Sequence, residues 1–225
     1  CSSDLNYDVF DEYRYFEPAY DFKVVSFKGK KLAITICEDI WNLGDNPLYR
    51  ICPMDELMKY EPDLMLNLSA SPFDYTHNED RKAICKANVL KYKLPLVYCN
   101  AIGSQTEIVF DGASLVFDKH GNLCKELPIF KEAVESITFN EDGICEEPII
   151  EAVDILPNKE LNPNYLDYNL NIGQIYEALV LGIKDYFKKM GFTKAILGSS
   201  GGIDSAVTLD RKSTRLNSSH TDISR

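Results

Sequence analysis

The sequence lacks several features that define membrane, zinc-thiolate and nucleic-acid-binding proteins. No uninterrupted apolar stretch approaches the roughly 20 residues of a membrane-spanning helix, and the first residues lack the basic-then-apolar pattern of a signal peptide. None of the 7 cysteines lies in the CxxC pairs of zinc or redox sites. Basic residues number 24 against 35 acidic ones, and the net charge of −11 disfavours binding to a phosphate backbone. We therefore expect a cytoplasmic protein whose partners include neither nucleic acid nor a membrane.

Three apolar segments predict β-strands, at residues 31–36, 63–68 and 94–99. A charged, helix-compatible segment at 78–92 separates the second strand from the third, and this alternation is typical of an α/β sheet. After residue 107, short apolar runs broken by turn residues indicate antiparallel strands, so the predicted sheet is mixed. In such a sheet, functional groups collect where the parallel strands end.

Cys37 directly follows the first predicted strand, where backbone amides and a helix N-terminus lower the pKa of a thiol. A free cysteine at a strand end is more often a packing residue than a nucleophile. Glu38 and Asp39 follow the thiol at once, and carboxylates are rarely buried without a purpose. The second predicted strand ends in a cluster that contains Ser69 and Ser71, whose hydroxyl groups suit a polar ligand. These neighbours favour a reactive role for Cys37.

A glycine-rich loop lies near the other end of the sequence. The apolar run at 195–197 predicts a strand, Gly201 and Gly202 lie between serines, and a helix-compatible segment follows. Glycines let backbone N–H groups converge on a phosphate, and the N-terminus of the next helix favours negative charge. No Gly-Lys-Ser or Gly-Lys-Thr follows, so the loop is not a Walker A motif. Asp204 suits Mg²⁺ beside phosphate oxygens, but it suits a helix N-terminus equally well.

Changes in composition divide the sequence into segments. We expect one domain over 1–140, a linker or extended arm over 141–170, and the start of a second domain over 171–209. Apolar residues at helical spacing open the second domain and predict a helix that Gly191 ends. Residues 210–225 are polar and without periodicity, and they resemble the in-frame translation of a common sequencing-library adapter. We expect this tail to be non-native.

Two independent sets of motifs point to one family. The first set consists of segments 7–16, 36–41, 67–72 and 110–114, and the second is the SGGxDS loop at 200–205. The first set resembles the nitrilase-type glutaminase domain of the glutamine-dependent NAD synthetases, and the loop resembles that of the N-type ATP pyrophosphatases, which these synthetases carry next. The resemblance implies an α/β chain. It would contain the C-terminal portion of a nitrilase-like α-β-β-α sandwich, then the first helix, strand and loop of a PP-loop, Rossmann-type domain.

The resemblance implies a glutamine-hydrolysing NAD(+) synthase, a ligase that forms a carbon–nitrogen bond with glutamine as amide donor. Cys37 is the implied nucleophile on glutamine, and the released ammonia amidates deamido-NAD through an adenylate made from ATP. The residues implied for glutamine binding are Tyr7, Glu38, Trp41, Ser69 and Ser71. The residues implied for ATP binding are Ser200, Gly201, Gly202, Ile203, Asp204 and Ser205, with Asp204 also binding Mg²⁺. The resemblance further implies a homo-oligomer for the full-length protein.

Some features depart from the family pattern. The family's catalytic lysine should closely precede Tyr7, whereas the first lysine of this sequence is Lys23, and the general-base glutamate lies further upstream still. We therefore expect an incomplete glutaminase site and a fragment that is inactive alone. The alternative is a stand-alone nitrilase-superfamily amidase or a non-catalytic module of that fold, neither of which needs a phosphate loop. Arg81 also has two interpretations, as a donor to the glutamine carboxylate or as a surface partner of neighbouring carboxylates.

Overall fold

The computed structural model describes residues 15–43, 51–74, 77–146 and 171–213, which belong to two compact units. The first unit consists of Cys1–Ile102 and Phe110–Glu160, and the second consists of Gly103–Val109 and Leu161–Arg225. Tyr7 and most of the expected tail, 214–225, therefore lie outside the described residues. Within the described ranges, no helix combines the length and apolar character that a membrane crossing requires.

The elements follow the predicted order. The strands are β1 (Val25–Phe27), β2 (Lys30–Ile36), β3 (Leu64–Ser69), β4 (Leu96–Asn100), β5 (Ile102–Gln105), β6 (Ile108–Asp111), β7 (Leu115–Phe117) and β8 (Leu123–Glu126). The α-helices are α1 (Pro53–Leu57), α2 (His77–Tyr92), α3 (Asn171–Met190) and α4 (Ile203–Ser213), and short 3-10 helices cover Cys37–Ile40 and Met58–Tyr60. The three predicted strands and the helix between the second and third are all present.

The first unit is built on a six-stranded sheet with the order β1-β2-β3-β4-β7-β8. Strands β2, β3 and β4 run parallel, whereas β1, β7 and β8 pair antiparallel with their neighbours. The prediction of a mixed sheet is confirmed. Because the three parallel strands are adjacent, their carboxyl ends lie side by side at one edge of the sheet.

One face of the sheet forms the core together with α2. Ala33, Met65 and Leu96 come from three adjacent strands and are at most 1 % exposed, and they cluster with Cys85 and Val89 of α2. Each fully buried aliphatic side chain of this kind contributes about 1.5–3 kcal/mol through the hydrophobic effect. Burial also raises the pKa of the Cys85 thiol to about 12, against the opposing charge of the nearby arginine on α2. Cys85 is therefore a packing residue.

The opposite face of the sheet is apolar but open. Ile34, Ile36 and Leu68 alternate with the core residues of β2 and β3, and they are 37 %, 46 % and 52 % exposed. Strand alternation places these side chains on the face away from α2. An α-β-β-α sandwich covers such a face with a second sheet. The pattern therefore agrees with the predicted sandwich architecture.

A polar cluster fastens α2 to the residues on both sides of segment 44–50. The Lys91 ammonium donates to the Leu43 carbonyl at 2.8 Å and to Asp55 Oδ1 at 2.8 Å. The Tyr92 hydroxyl donates to the same Asp55 oxygen at 2.8 Å. Partial burial raises the pKa of Asp55, but the hydrogen bonds from Lys91 and Tyr92 lower it by more, so the net shift is downwards. The ionised carboxylate is therefore the form that this cluster stabilises.

The second unit combines α3 with the tip of the β5–β6 hairpin. The Ser104 N–H donates to Asp185 Oδ2 at 2.9 Å, and its hydroxyl donates to the Gly182 carbonyl at 3.3 Å. The Lys189 ammonium donates to the Ser104 carbonyl and, at 3.2 Å, to Gln105 Oε1. One face of α3 therefore satisfies the polar groups of a hairpin that lies some 80 residues earlier in the chain.

The end of α3 agrees with the sequence, but the segment after it does not. Gly191 has a φ of +70° and directly follows the helix, as predicted for a glycine that ends it. The expected strand at 195–197 is not formed, and Ile196 is fully exposed. Its β-branched, apolar sequence favours an extended chain, but a strand also needs a neighbour to pair with. Among the described residues, no strand pairs with this segment, so the helix–strand–loop prediction is wrong in its strand.

Candidate functional site

Cys37 lies in a tight turn at the carboxyl end of β2. Its φ is +44°, a left-handed conformation that costs a non-glycine residue about 1–3 kcal/mol. The strand ends at Ile36, and a 3-10 helix begins at once with Cys37 and continues to Ile40. This geometry lifts the half-buried thiol out of the regular strand, at the edge where the parallel strands end. Strain of this kind is typical of functional positions.

Two buried side chains hold the backbone on either side of this turn. Asp39 Oδ2 accepts the Ile36 N–H at 2.9 Å, and Asn67 Nδ2 donates to the Cys37 carbonyl at 3.3 Å. Asp39 is 6 % exposed and Asn67 is completely buried. Of the two acidic residues after Cys37, Asp39 therefore has a structural role, because it supports the turn from within. Sequence reasoning did not single out Asn67 on its own, although it lies in the 67–72 motif.

Three of the residues predicted for glutamine binding lie near this turn. Glu38 follows Cys37 in the 3-10 helix and is half-buried, and its carbonyl accepts the Trp41 N–H at 2.9 Å. Ser69 ends the neighbouring strand β3 and donates to Asn67 Oδ1 at 2.5 Å. The Asn67 side chain therefore links Ser69 to the Cys37 carbonyl. The structure therefore brings Glu38, Trp41 and Ser69 to the same sheet edge as the thiol.

Ser71 belongs to a deeper polar network at this edge. Its N–H donates to Asn100 Oδ1 at 2.9 Å, and Asn100 Nδ2 donates to the Gly112 carbonyl at 2.8 Å and to Asp111 Oδ1 at 3.3 Å. Arg81 binds the same Asp111 with both terminal nitrogens, at 3.0 and 2.6 Å. All of these side chains are less than 10 % exposed. Arg81 therefore pairs with Asp111 and not with the surface carboxylates near it in sequence, so the surface interpretation is wrong, whereas its role as a donor to the glutamine carboxylate stays a prediction.

A row of buried polar side chains crosses the sheet below the turn. Thr35, Asn67 and Tyr98 lie opposite one another on β2, β3 and β4 and are at most 2 % exposed. Asn67 Nδ2 donates to Thr35 Oγ1 at 3.0 Å, and Thr35 Oγ1 donates to the Leu66 carbonyl at 3.3 Å. Burial raises the pKa of Tyr98 to about 12, against the lowering effect of the Ser69 hydroxyl. The phenol is therefore neutral at physiological pH.

The glycine-rich loop of the second unit precedes the N-terminus of α4. Gly201 has a φ of +80°, which requires glycine, and α4 begins two residues later at Ile203. The hydroxyls of Ser200 and Ser205 lie 3.3 Å apart, and Ser205 Oγ donates to the Gly202 carbonyl at 2.9 Å. The loop is exposed, and the Gly202 N–H bonds only weakly to Ser200 Oγ, at 3.4 Å. These amides and hydroxyls can rearrange around an anion.

Asp204 is the one carboxylate of this loop. Its residue is exposed and lies in the first turn of α4. In the part of the chain that the structure describes, no group of three or more His, Cys, Asp or Glu side chains is placed to hold a metal ion. Mg²⁺ is commonly held by one or two carboxylates together with substrate phosphates, so the chemistry of a single carboxylate fits that ion if the loop binds phosphate as predicted.

Comparison with known proteins decides between the families that share such sites. Residues 175–212 match the NAD synthase family. The glutamine-dependent NAD(+) synthetase of Synechocystis is 33 % identical over 205 residues, covering 89 % of this chain and 34 % of that protein. The corresponding enzyme of Acinetobacter baylyi is 33 % identical over 204 residues, covering 91 % and 34 %. The chain matches the glutamine-dependent NAD(+) synthetases. It spans about a third of the length of these curated relatives.

The fold agrees with the synthetase match. The solved structure of glutamine-dependent NAD+ synthetase from Acinetobacter baumannii, in complex with ADP, superposes with a TM-score of 0.71 at 31 % identity, covering 92 % of this chain and 35 % of that one. Because one synthetase chain covers nearly all of the present chain, both units are accounted for by one family. The resemblance inferred from the sequence is confirmed, and so is the predicted fold class apart from the strand at 195–197.

Proposed function

We propose that the intact protein is a glutamine-hydrolysing NAD(+) synthase, a ligase that takes its amide nitrogen from glutamine. The observation that carries this proposal is the presence of two chemically unrelated devices in one chain. A cysteine in a strained turn ends a parallel strand of the first unit, and a serine- and glycine-rich loop precedes a helix N-terminus in the second. A hydrolase needs only the cysteine turn, and a simple ATP-binding protein needs only the glycine-rich loop.

The first unit would release ammonia from glutamine. The Cys37 thiolate attacks the side-chain carboxamide carbon, the C–N bond breaks, and the nitrogen leaves as ammonia after taking up a proton. Water then hydrolyses the thioester, which regenerates the thiol and gives glutamate. Glu38, Trp41, Ser69, Ser71 and Tyr7 form the glutamine pocket in this proposal. The support from geometry is that Glu38 follows Cys37 in the same 3-10 helix and that Ser69 is linked to the Cys37 carbonyl through Asn67.

The second unit would use ATP to activate the acceptor. The nicotinate carboxylate of deamido-NAD attacks the α-phosphorus of ATP, pyrophosphate leaves, and ammonia then displaces AMP to give the amide. The N–H groups and hydroxyls of the Ser200–Ser205 loop would bind the pyrophosphate, aided by the N-terminus of α4. Mg²⁺ supplies charge neutralisation of the phosphates when bound, and Asp204 is its proposed protein ligand. We further propose a cytoplasmic, homo-oligomeric enzyme.

The alternative of a stand-alone amidase is not favoured. It accounts for Cys37 and its sheet but leaves residues 175–212, which match the NAD synthase family, without a purpose. The glycine at position 201 has a backbone conformation that other residues rarely adopt. An amidase module needs no such loop.

The test is an assay of the intact protein with deamido-NAD, ATP and either glutamine or ammonium as nitrogen source. We expect Cys37→Ala to abolish glutamine-driven NAD formation and to leave ammonium-driven formation within about twofold of the wild type, because only the first half-reaction needs the thiol. Asp204→Asn should reduce both reactions together.

Cys99→Ala is the matched control, because Cys99 is a free, exposed cysteine on the neighbouring strand β4. This variant should behave as the wild type with either nitrogen source. Glutamine-driven turnover that survives in Cys37→Ala would refute the assignment of the nucleophile. A wild-type protein that forms no NAD with either nitrogen source would refute the proposed function itself.

A further inference from the structure

The side chain of Asn67 ties the Cys37 turn to the next strand. Asp39 supports the turn from within the same 3-10 helix, so it moves with the turn. Asn67 belongs to β3, and its Nδ2 group donates to the Cys37 carbonyl at 3.3 Å. The left-handed conformation of Cys37 is unfavourable for any residue with a side chain. Holding it in place therefore needs an anchor outside the turn.

The hydrogen bonds around Asn67 fix the orientation of its amide. Nδ2 has two acceptors, Thr35 Oγ1 at 3.0 Å and the Cys37 carbonyl at 3.3 Å. The Thr35 hydroxyl donates its proton to the Leu66 carbonyl, so toward Asn67 it acts as an acceptor. Oδ1 is left to face Ser69 at 2.5 Å. A completely buried amide with its donor and acceptor sides both satisfied is a rigid support.

The same orientation determines what Ser69 offers to a ligand. An amide oxygen only accepts hydrogen bonds, so the Ser69 hydroxyl donates its single proton to Asn67 Oδ1. Because the Ser69 hydroxyl also lies close to the buried Tyr98 phenol, only a lone pair turned away from both Asn67 and Tyr98 can face a ligand. Ser69 therefore suits an N–H donor, such as the ammonium or carboxamide nitrogen of an amino-acid amide, rather than a carboxylate.

We propose that Asn67 is a positioning residue that holds the Cys37 nucleophile in its strained turn and orients the Ser69 hydroxyl as an acceptor. The proposal rests on the proposed glutamine hydrolysis at Cys37. Asn67 does not touch the substrate, and it acts through the backbone of one site residue and the side chain of another. Its loss should affect the rate of thiol attack more than the binding of glutamine.

The experiment compares Asn67→Leu, Asn67→Asp and Asn88→Leu in the intact protein. Leucine removes every side-chain hydrogen bond but keeps the number and branching of the side-chain heavy atoms. Aspartate keeps an acceptor for Ser69 and replaces the donor nitrogen with an oxygen. Asn88 is the matched control because it is 1 % exposed and donates to the carbonyl of Ile40, the last residue of the same 3-10 helix, at 2.7 Å. It makes no contact with Cys37 or Ser69 among the described hydrogen bonds.

Two readouts separate positioning from general stability. We expect both Asn67 variants to lower kcat for glutamine hydrolysis by about 10- to 100-fold, with KM changed by less than about threefold, because a small displacement of a nucleophile is costly. Alkylation of Cys37 by iodoacetamide, followed by peptide mass spectrometry, should slow by a similar factor. Ammonium-driven NAD formation and the Asn88→Leu variant should keep wild-type rates.

Every other result would overturn the proposal. Wild-type kcat and wild-type Cys37 alkylation in either Asn67 variant would show that the anchor is dispensable. An equal loss of kcat in Asn88→Leu, or loss of ammonium-driven activity in both Asn67 variants, would show that Asn67 supports the fold alone. A failure of the proposed function is distinguishable, because the wild type itself would then show no glutamine-driven NAD formation.

Discussion

The buried ion pair between Arg81 and Asp111 is the interaction whose removal should destabilise the first unit most. Both side chains are at most 1 % exposed, and they meet in a bidentate arrangement with contacts of 3.0 and 2.6 Å. Asp111→Asn keeps the shape of the side chain but leaves the guanidinium charge buried without its counter-charge. Arg81→Met has the opposite effect and leaves the carboxylate unpaired.

Either substitution should cost about 3–5 kcal/mol, the usual effect of breaking a buried pair by removing one partner. That is a large share of the roughly 5–15 kcal/mol that stabilises a typical domain. Since about 1.4 kcal/mol corresponds to a factor of ten, the population of the open state should rise by about 10²-fold or more. The double variant Arg81→Met/Asp111→Leu should lose less than the sum of the two single changes, because no unpaired charge is left.

Native-state hydrogen exchange of the intact protein, read by mass spectrometry on peptides from β4 and β7, measures this cost locally. Glu79→Gln on the same helix is the control. The Glu79 carboxylate is 61 % exposed and pairs with Lys82 at 3.2 Å, an interaction worth less than about 1 kcal/mol. If Asp111→Asn changed exchange no more than Glu79→Gln does, the argument that this pair is fully desolvated would be refuted.

Two further substitutions test other parts of the first unit. Gly121 has a φ of +81°, and an added Cβ would lie 3.1 Å from Leu90 Cδ2, whereas Gly29 has a φ of +79° and open space. Gly29→Ala should therefore cost about 1–2 kcal/mol of unfolding free energy, and Gly121→Ala more than that, in local exchange measurements. Equal costs would contradict the steric argument. The pKa of Asp55 is lowered in the folded state, so its ionised form stabilises the fold above its ordinary pKa, and this contribution disappears as the pH falls through the lowered value. Asp55→Asn should destabilise the protein by up to about 1 kcal/mol near neutral pH, a small effect because its bond to Lys91 is partly exposed. The cost should shrink as the pH falls through the lowered pKa of Asp55. A cost that does not depend on pH would contradict this mechanism.

The elements that the sequence predicted well are those set by local pattern. The segments of β2, β3 and β4 are rich in apolar residues, as buried parallel strands are. Gly191 marks the end of α3. The placement of Cys37 at a strand end followed from the same reasoning. The expected strand at 195–197 failed because strand formation depends on a partner, and pairing is a property of the fold rather than of the segment.

The parts of the site that sequence reasoning missed depend on contacts between distant residues. No local pattern shows that Cys37 has a positive φ, since glycines do not flank it. Arg81 lies among surface charges in the sequence, yet its partner Asp111 lies 30 residues away, at the end of β6. Likewise Asn67 is one polar residue in an apolar strand, and its importance is visible only when three strands are placed side by side. Packing and register, which single-sequence patterns do not report, assemble these groups.

The hairpin tip at Gly103–Val109 makes both units discontinuous in sequence, and this matters for engineering. Because this short segment belongs to the second unit while its flanking residues belong to the first, no single cut separates the two units. A fragment that starts at α3 would lack the groups that Asp185 and Lys189 bind, and both charges would lose their partners. During synthesis, the hairpin can likewise form its contacts with α3 only after α3 has been synthesised. Fusion, swapping or separate expression of the two halves therefore has to carry the hairpin along with the helix.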